Sequence, residues 1–125
     1  MKVLLINPSR INGMKFFNYQ SDYDFEIEGD DYGQFPPLGL LYIGSALKKA
    51  RPQDEIELID AIAEKMSGAE LEQRIRDFDP DFVGLSTFTM VMYDCCLIAR
   101  LVKKINPNAH ICFGGPHISD FPVET

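Results

Sequence analysis

Residues 81–117 contain two apolar runs separated by a helical pattern, and this arrangement restricts the fold more than any other part of the sequence. The first run, Phe82–Thr87, ends in two hydroxyl residues, and the second, Ala109–Gly115, ends in two glycines. The first run carries no polar alternation, which is typical of a strand covered on both faces of a parallel sheet. The sequence therefore predicts a strand–helix–strand unit of an α/β fold.

The residues that end these two strands are candidates for ligand contact. In open α/β sheets, ligands bind at the carboxyl ends of the strands. We expect the hydroxyl groups of Ser86 and Thr87 to face a ligand there, because the backbone must turn at these residues. Gly114 and Gly115 lack Cβ atoms, so something bulky could lie against the backbone at this edge.

The rest of the sequence continues the alternation of strands and helices. Val3–Ile6 is predicted as a central strand, and the alternating Glu55–Asp60 as an edge strand. Helices are predicted for Leu38–Lys49, Ala69–Phe78 and Met92–Ile105. Ser67–Glu70 matches a capping box at the start of the second of them. We expect an α/β, three-layer, flavodoxin-like (Rossmann-like) domain whose doubly wound parallel sheet has strand order 2-1-3-4. The ligand site would lie above strands 1 and 3, where the winding direction reverses.

The segment after the last predicted strand is short. Ile118–Thr125 is too short for another helix and strand, so a five-stranded fold of this kind would be cut before its last strand and helix. The Ala109–Phe113 strand would then keep an unpaired row of backbone donors and acceptors. Two outcomes are open: a symmetric homodimer joined at this edge, or a monomer whose tail folds back over it.

Composition restricts the partners. With 12 Lys and Arg against 19 Asp and Glu, and a net charge of -7, the chain lacks the basic face that nucleic-acid binding requires. No apolar run approaches the ~20 residues of a membrane span, and Met1–Ile6 is too short for a signal-peptide core, so we expect a cytoplasmic protein. Cys95, Cys96 and Cys112 are expected to be reduced thiols in a packed interior.

Asn7–Pro36 is a segment of roughly 30 residues without periodicity, which exceeds ordinary loop lengths. It mixes aromatic residues such as Tyr23 and Phe25 with an acidic middle that includes Asp30 and Asp31. Two interpretations are open. The segment is either a flap packed on its own domain, or a lid or docking surface over the site at the strand ends.

The loops of this chain lack the motifs of three other protein classes with this architecture. A dinucleotide-binding turn needs three glycines after the first strand, and Asn7–Gly13 has one. A phosphoryl-accepting receiver domain would carry an aspartate at the end of the third strand, where this chain has Ser86 and Thr87. A flavodoxin would offer a hydroxyl-rich phosphate loop, and Ser9 supplies one hydroxyl, which leaves FMN as an alternative.

Five short motifs follow one another at characteristic separations along nearly all of the chain. They are Val3–Pro8, Pro36–Ile43, Leu58–Ala61, Val83–Thr87 and Gly114–His117. In this order they resemble the cobalamin-binding amino-terminal domain of the radical-SAM enzymes that include the anaerobic Mg-protoporphyrin IX monomethyl ester cyclases. The resemblance implies one cobalamin-binding domain over residues 1–125, as a fragment of a larger radical-SAM protein.

The resemblance also implies how the cofactor is held. The family lays the corrin over the carboxyl ends of the strands, and the nucleotide tail slides between strands along small residues and hydroxyls. Ser86 and Thr87 could hydrogen-bond this tail, and Gly114 and Gly115 would make room for it. The cofactor-binding residues implied in this way are Asn7, Pro8, Pro37, Leu38, Asp60, Ser86, Thr87, Gly114, Gly115, Pro116 and His117.

This chain lacks the histidine motif by which some cobalamin-binding domains ligate cobalt. Cobalamin domains that ligate cobalt through histidine resemble Asp-x-His-x-x-Gly after the first strand, and Asn7–Gly13 contains no histidine. We therefore expect cobalamin without His ligation and no protein metal ligand. His110 lies at the far end of the last strand from the site, as a surface or packing residue. His117 lies at the correct edge, where loop capping and ligand contact both remain open.

No catalytic residue is predicted in this chain. The three cysteines cannot supply the Cys-x-x-x-Cys-x-x-Cys run of a radical-SAM [4Fe–4S] cluster, so the cluster and S-adenosylmethionine are expected only in a downstream domain. The sequence contains no recognisable nucleophile and base arrangement. We expect a binding module whose parent enzyme is cyclase-like or methyltransferase-like and acts on a porphyrin or another hydrophobic substrate. The alternative is a docking domain without cofactor affinity that uses the Asn7–Pro36 segment as its contact surface.

Overall fold

The structure, a computed structural model, describes residues 1–9 and 35–123. Four strands pair in parallel in the order β2-β1-β3-β4. In chain order the elements are β1 Lys2–Asn7, α1 Leu38–Ala50, β2 Glu55–Asp60, α2 Gly68–Phe78, β3 Phe82–Ser86, a 3-10 turn Thr89–Val91, α3 Met92–Ile105, β4 His110–Gly114 and α4 Pro116–Asp120. The predicted fold class and strand order are confirmed. The Asn7–Pro36 flap or lid lies largely outside the described residues.

The central strand β1 separates two unequal apolar layers. Leu4 and Ile6 face α2 and α3 and belong to the larger core, whereas Val3 and Leu5 face α1 and belong to a smaller cluster with Leu40. All four β1 side chains are buried. β1 is therefore central, as its uninterrupted apolar run predicts, because a strand with helices on both faces has no wet side.

The predicted helices form with small shifts at their ends. Helix α2 begins at Gly68 and has the predicted capping box: the Ser67 hydroxyl oxygen accepts from the Glu70 backbone N–H at 3.3 Å, and the Glu70 carboxylate accepts from the Ser67 N–H at 2.7 Å. These hydrogen bonds lower the pKa of the Glu70 carboxyl below its usual value. The short helix α4 was not predicted. It begins at Pro116, whose ring suits a first helical turn.

The expectation of interior cysteines is correct only in part. Cys95 is buried, Cys96 is half-buried, and Cys112 is exposed; all three thiols are free. Cys112 is exposed because it points to the α1 side of the sheet, and α1 packs over β1 and β2 rather than β4. The prediction of a packed interior is therefore wrong for Cys112.

Asp54, which precedes β2, is 3% exposed and fixes the amino-terminal edge of the sheet. Its carboxylate accepts hydrogen bonds from the Arg51 guanidinium and, at 3.2 Å, from the α-amino group of Met1. The hydrogen bond from Arg51 lowers the pKa of the Asp54 carboxyl, although burial opposes the shift. Asp54 therefore stabilises the folded state in its ionised form.

We expect Asp54→Asn to reduce the dependence of stability on pH. Because the folded-state pKa of Asp54 lies below the unfolded value of about 3.9, its stabilisation is complete above that pH and is lost as pH falls through the folded-state pKa. Urea unfolding at a series of pH values from neutral to acid measures this. The variant should be less stable than the wild type near neutral pH and approach it in acid. A parallel offset at every pH would contradict the assignment, and Asp120→Asn, on the exposed surface of α4, is the control.

Candidate functional site

The carboxyl ends of β1 and β2 are joined through two of the predicted site residues. Asn7 and Asp60 are register partners, and the Asn7 amide donates to Asp60 Oδ1 at 3.0 Å. The same oxygen accepts from the backbone N–H groups of Ile62 and Ala63 at 3.3 Å each, so Asp60 organises the loop after β2. These two side chains therefore form one side of the site and hold each other in place.

The carboxyl ends of β3 and β4 meet around Thr87. Ser86 and Gly114 are register partners. Thr87 is fully buried, and both its N–H and its hydroxyl donate to the Gly114 carbonyl oxygen. The hydroxyl therefore faces Gly114 rather than the solvent side where a ligand was expected, because a buried hydroxyl needs a hydrogen-bond partner. Ser86 keeps its predicted place at the strand end and is half-buried.

The two glycines at the end of β4 have different structural roles. A Cβ atom on Gly114 would meet no heavy atom within 4 Å. A Cβ on Gly115 would lie 2.7 Å from the Thr87 carbonyl oxygen, and Gly115 has φ +107°, a conformation that side chains rarely adopt. Gly115 thus permits close backbone packing against Thr87, and only Gly114 leaves open space.

Small residues from β3 and β4 lie next to one another on the α1 side of the sheet. Gly84 pairs with Cys112 and Ser86 pairs with Gly114, and the alternation of strand side chains puts all four on one face. We call these four residues the small-residue trough. Leu5 and Phe82 approach the position of a Cβ on Gly84, so that end is closed, whereas Cys112 and Gly114 are exposed. Gly84 and Cys112 were missed as site residues because the β3–β4 register was unknown. The alternation of side chains along each strand could have indicated them, since Gly84 shares a face with Ser86, and Cys112 with Gly114.

Exposed apolar side chains surround the carboxyl edge next to the trough. Phe88 and Met90 follow β3, and Phe121 follows α4. His117 Nδ1 lies 3.0 Å from the Thr89 hydroxyl oxygen, and the His117 ring lies 5.3 Å from the Phe121 ring. His117 therefore links α4 to the β3–α3 connection. This contact agrees with the loop-capping alternative, and ligand contact by His117 stays a prediction.

The remaining predicted residues lie around the same edge. Pro8 is buried after β1, Pro37 is half-buried before α1, and Leu38 and Pro116 are exposed at the first residues of their helices. The candidate residues form two groups, one at β1–β2 and one at β3–β4. Three strand spacings separate the outermost strands, or about 14 Å, so an extended ligand could reach both groups.

The ionisable groups give no sign of an activated nucleophile at Cys95. Burial raises the pKa of the Cys95 thiol to about 12, and its Sγ lies 3.7 Å from the Ser86 carbonyl oxygen. The thiol is neutral at physiological pH and packs beneath the end of β3. In the part of the chain that the structure describes, no three His, Cys, Asp or Glu side chains lie close enough together to hold a metal ion.

A protein-family comparison decides the class of this chain. The model of the B12 binding domain matches residues 29–125. The chain belongs to the B12-binding domain family. The resemblance drawn from the five motifs is thereby confirmed at the level of the domain family. Among residues 1–9 and 35–123 of this B12-binding domain, no helix is both long and apolar enough to cross a membrane.

Three curated proteins are similar to this B12-binding domain. An uncharacterized methyltransferase of Pyrococcus horikoshii is 38% identical over 90 residues, which are 72% of the chain and 19% of that protein. The anaerobic magnesium-protoporphyrin IX monomethyl ester cyclase of Rubrivivax gelatinosus is 29% identical, over 94% of the chain and 18% of that protein. The enzyme of the same name in Cereibacter sphaeroides is 32% identical, over 68% of the chain and 14% of that protein. The chain thus spans less than a fifth of the length of each. No solved structure matches it.

The residues of the B12-binding domain suit an extended group with a slender tail. The trough offers exposed backbone at Gly114 with open space above it, and a side chain there would fill that space. The Ser86 hydroxyl lies beside it and can donate or accept a hydrogen bond. The apolar rim at Phe88 and Met90 suits the broad face of a macrocycle.

Proposed function

We propose that this chain is the cobalamin-binding module of a larger radical-SAM enzyme. The observation that carries the proposal is the small-residue trough, which opens at the carboxyl ends of β3 and β4 in a chain of the B12-binding domain family. In a doubly wound sheet this edge is where ligands bind. The dual grouping of the site residues agrees with a ligand that has a broad head and a long tail.

Each group of residues has a defined part in this proposal. Phe88 and Met90 of the apolar rim would contact the corrin and exclude water from it. Ser86, Cys112 and Gly114 would hold the nucleotide tail. Bound cobalamin supplies a cobalt centre that carries an alkyl group or an electron, and the residues of this chain bind and orient it.

The cobalt receives no histidine from this chain in the proposed complex. The segment after β1 in which such a histidine would lie, Asn7–Gly13, contains none, and the Asn7 amide is engaged with Asp60. His110 lies at the amino-terminal end of β4, the opposite end of that strand from the trough, and His117 contacts Thr89. The residues of this chain would therefore hold cobalamin without a histidine ligand to the cobalt.

Titration of the 125-residue chain with hydroxocobalamin tests the proposal. We expect calorimetric heat that saturates at one cobalamin per chain, and an absorption spectrum that is unchanged when both His110 and His117 are replaced by Gln. Absence of binding by the folded wild-type chain would refute the binding role. A spectral shift abolished by either His replacement would refute ligation without histidine.

The reaction of the parent enzyme is proposed from the names of its relatives. Two of the similar proteins are magnesium-protoporphyrin IX monomethyl ester cyclases and one is a methyltransferase. We propose a cytoplasmic enzyme whose downstream radical-SAM domain binds a [4Fe–4S] cluster and S-adenosylmethionine and acts on a tetrapyrrole or another hydrophobic substrate. Sequencing the reading frame downstream of Thr125 tests this, since a Cys-x-x-x-Cys-x-x-Cys run is expected there.

The edge strand β4 supports a second proposal, that the isolated chain forms a homodimer. Among the described residues, β4 pairs with β3 alone, and its burial alternates between half-buried and exposed positions. Two copies could satisfy both edges by antiparallel pairing about a twofold axis. Sedimentation equilibrium at micromolar concentration should give a mass near twice 14.2 kDa. A 14.2 kDa monomer at every concentration would refute the dimer.

A further inference from the structure

Helix α1 exposes more apolar surface than a helix of a self-contained domain usually does. Leu38, Leu41, Tyr42 and Ile43 are 63%, 42%, 75% and 50% exposed, and Leu40 is the one buried residue of this helix. A helix that is apolar on all sides is normally buried, and contiguous exposed apolar residues mark interaction surfaces. Among the described residues, the outer faces of α1 thus carry exposed apolar side chains of the kind that mark an interaction surface.

A groove runs along α1 on the side of β2, away from the small-residue trough. Its cavity has a volume of about 570 Å³ and is largely open to solvent. The floor is apolar and consists of one β1 residue and two half-buried β2 residues. The groove is lined by Leu5, Leu41, Gly44, Ser45, Lys48, Lys49, Ile56 and Leu58.

The groove is basic, although the chain has a net charge of -7. Lys48 and Lys49 line one end of it, and α1 contains no acidic residue. On β2, Glu57 points to the opposite face of the sheet, where its carboxylate accepts from Arg74 of α2 at 2.6 Å. Lys48 Nζ donates to the Asp54 backbone carbonyl oxygen at 3.4 Å, and no carboxylate of β2 opposes the two lysines in the groove.

A second copy of the chain fits this groove poorly. Twofold packing of α1 on itself would place Lys48 and Lys49 beside the amino terminus of the partner helix. That terminus also carries partial positive charge, so the contact would be repulsive. A small anion would leave the apolar surface at Leu38 and Tyr42 uncovered. An amphipathic helix with acidic residues beside its apolar stripe would cover the apolar residues and pair with the lysines.

We propose that the α1–β2 groove binds an acidic amphipathic helix supplied by another domain of the same protein. We infer that the helix comes from another domain because of the length of the relatives. Each relative is more than five times as long as the part that this chain matches. This step rests on the proposal that the chain is a module of a larger enzyme. The groove and its charge are independent of cobalamin.

Thiol labelling of Ser45→Cys tests the groove. Maleimide should modify the new thiol readily in the 125-residue chain, with the modified residue located by peptide mass mapping. A designed helical peptide with Leu at positions i, i+3, i+4 and i+7 and flanking Glu should slow labelling about tenfold at ten times its Kd. Native Cys112, exposed on β4, is the internal control and should label at an unchanged rate.

Charge reversal and the longer protein complete the test. Lys48→Glu/Lys49→Glu should weaken the acidic peptide about tenfold and favour a matched peptide with Lys in place of Glu. In the full-length protein, Ser45→Cys should label about tenfold more slowly than in the 125-residue chain. The proposal would be overturned if Ser45→Cys labelled at the same rate in both chains, or if both peptides bound with the same affinity. It would also be overturned if protection of the Ser45→Cys thiol increased with the concentration of the 125-residue chain. Hydroxocobalamin titration of the same samples reports the cofactor role separately.

Discussion

Replacing Gly115 with alanine is expected to lower the free energy of unfolding by about 3 kcal/mol. The backbone at this position has φ +107°, and an added Cβ would lie 2.7 Å from the Thr87 carbonyl oxygen and 3.0 Å from the Thr87 nitrogen. Both neighbours are backbone atoms of a fully buried residue, so they cannot move aside as the end of a flexible side chain would. Relief of the overlap must therefore separate β3 from the start of α4.

Urea unfolding followed by circular dichroism measures this effect. Gly114→Ala is the matched control, because it adds the same atom one residue earlier, where nothing lies within 4 Å. It should leave the midpoint nearly unchanged. A similar loss of stability in both variants would show that the Gly115 conformation is not the cause.

Gly114→Leu is expected to weaken cobalamin binding by about 10-fold to 100-fold while leaving the fold intact. The leucine side chain would project into the small-residue trough, where we propose that the nucleotide tail lies. The leucine and the tail would then compete for the same space. Calorimetric titration with hydroxocobalamin measures the affinity. Gly115→Leu is unsuitable for this purpose, since its overlap with Thr87 would damage the site through the fold.

His110→Leu provides the control for the trough. His110 lies on the same strand and the same face as Gly114, at the opposite end of β4, and is exposed. The His110→Leu variant should bind hydroxocobalamin with the affinity of the wild type, because it adds a leucine to the same strand but outside the trough. Wild-type affinity in Gly114→Leu would remove the trough from the binding site. Equal losses in both variants would point to a general change in β4.

Patterns within single elements predicted much of this fold. The unbroken apolar run at Val3–Ile6 indicated a strand buried on both faces, and the alternation in Glu55–Asp60 indicated an edge strand; both lie where expected. The capping box at Ser67 fixed the start of α2 within one residue. These signals are local, so they survive without knowledge of tertiary contacts.

The order of the strands was predicted from the sequence, but the residue register between paired strands could not be. Thr87 was expected to face a ligand because a hydroxyl follows an apolar strand, but its hydroxyl is bound to Gly114, which is distant in sequence. The same register decides that Gly115 packs on Thr87 and that Cys112 joins the trough. Residue type indicates that a position is special, whereas only the three-dimensional neighbours show whether the backbone or a ligand requires it.

The unequal covering of the two sheet faces has a consequence for motion. Helix α1 is held to the sheet by a small cluster around Val3, Leu5 and Leu40, whereas α2 and α3 share the larger core. Segments with few buried apolar contacts open at lower free energy than the rest of a domain. Amide hydrogens of α1 should therefore exchange with solvent faster than those of α2 and α3. Helix α1 can then move away from β1 and β2 without global unfolding, so the α1 side of the sheet is the side that opens more easily.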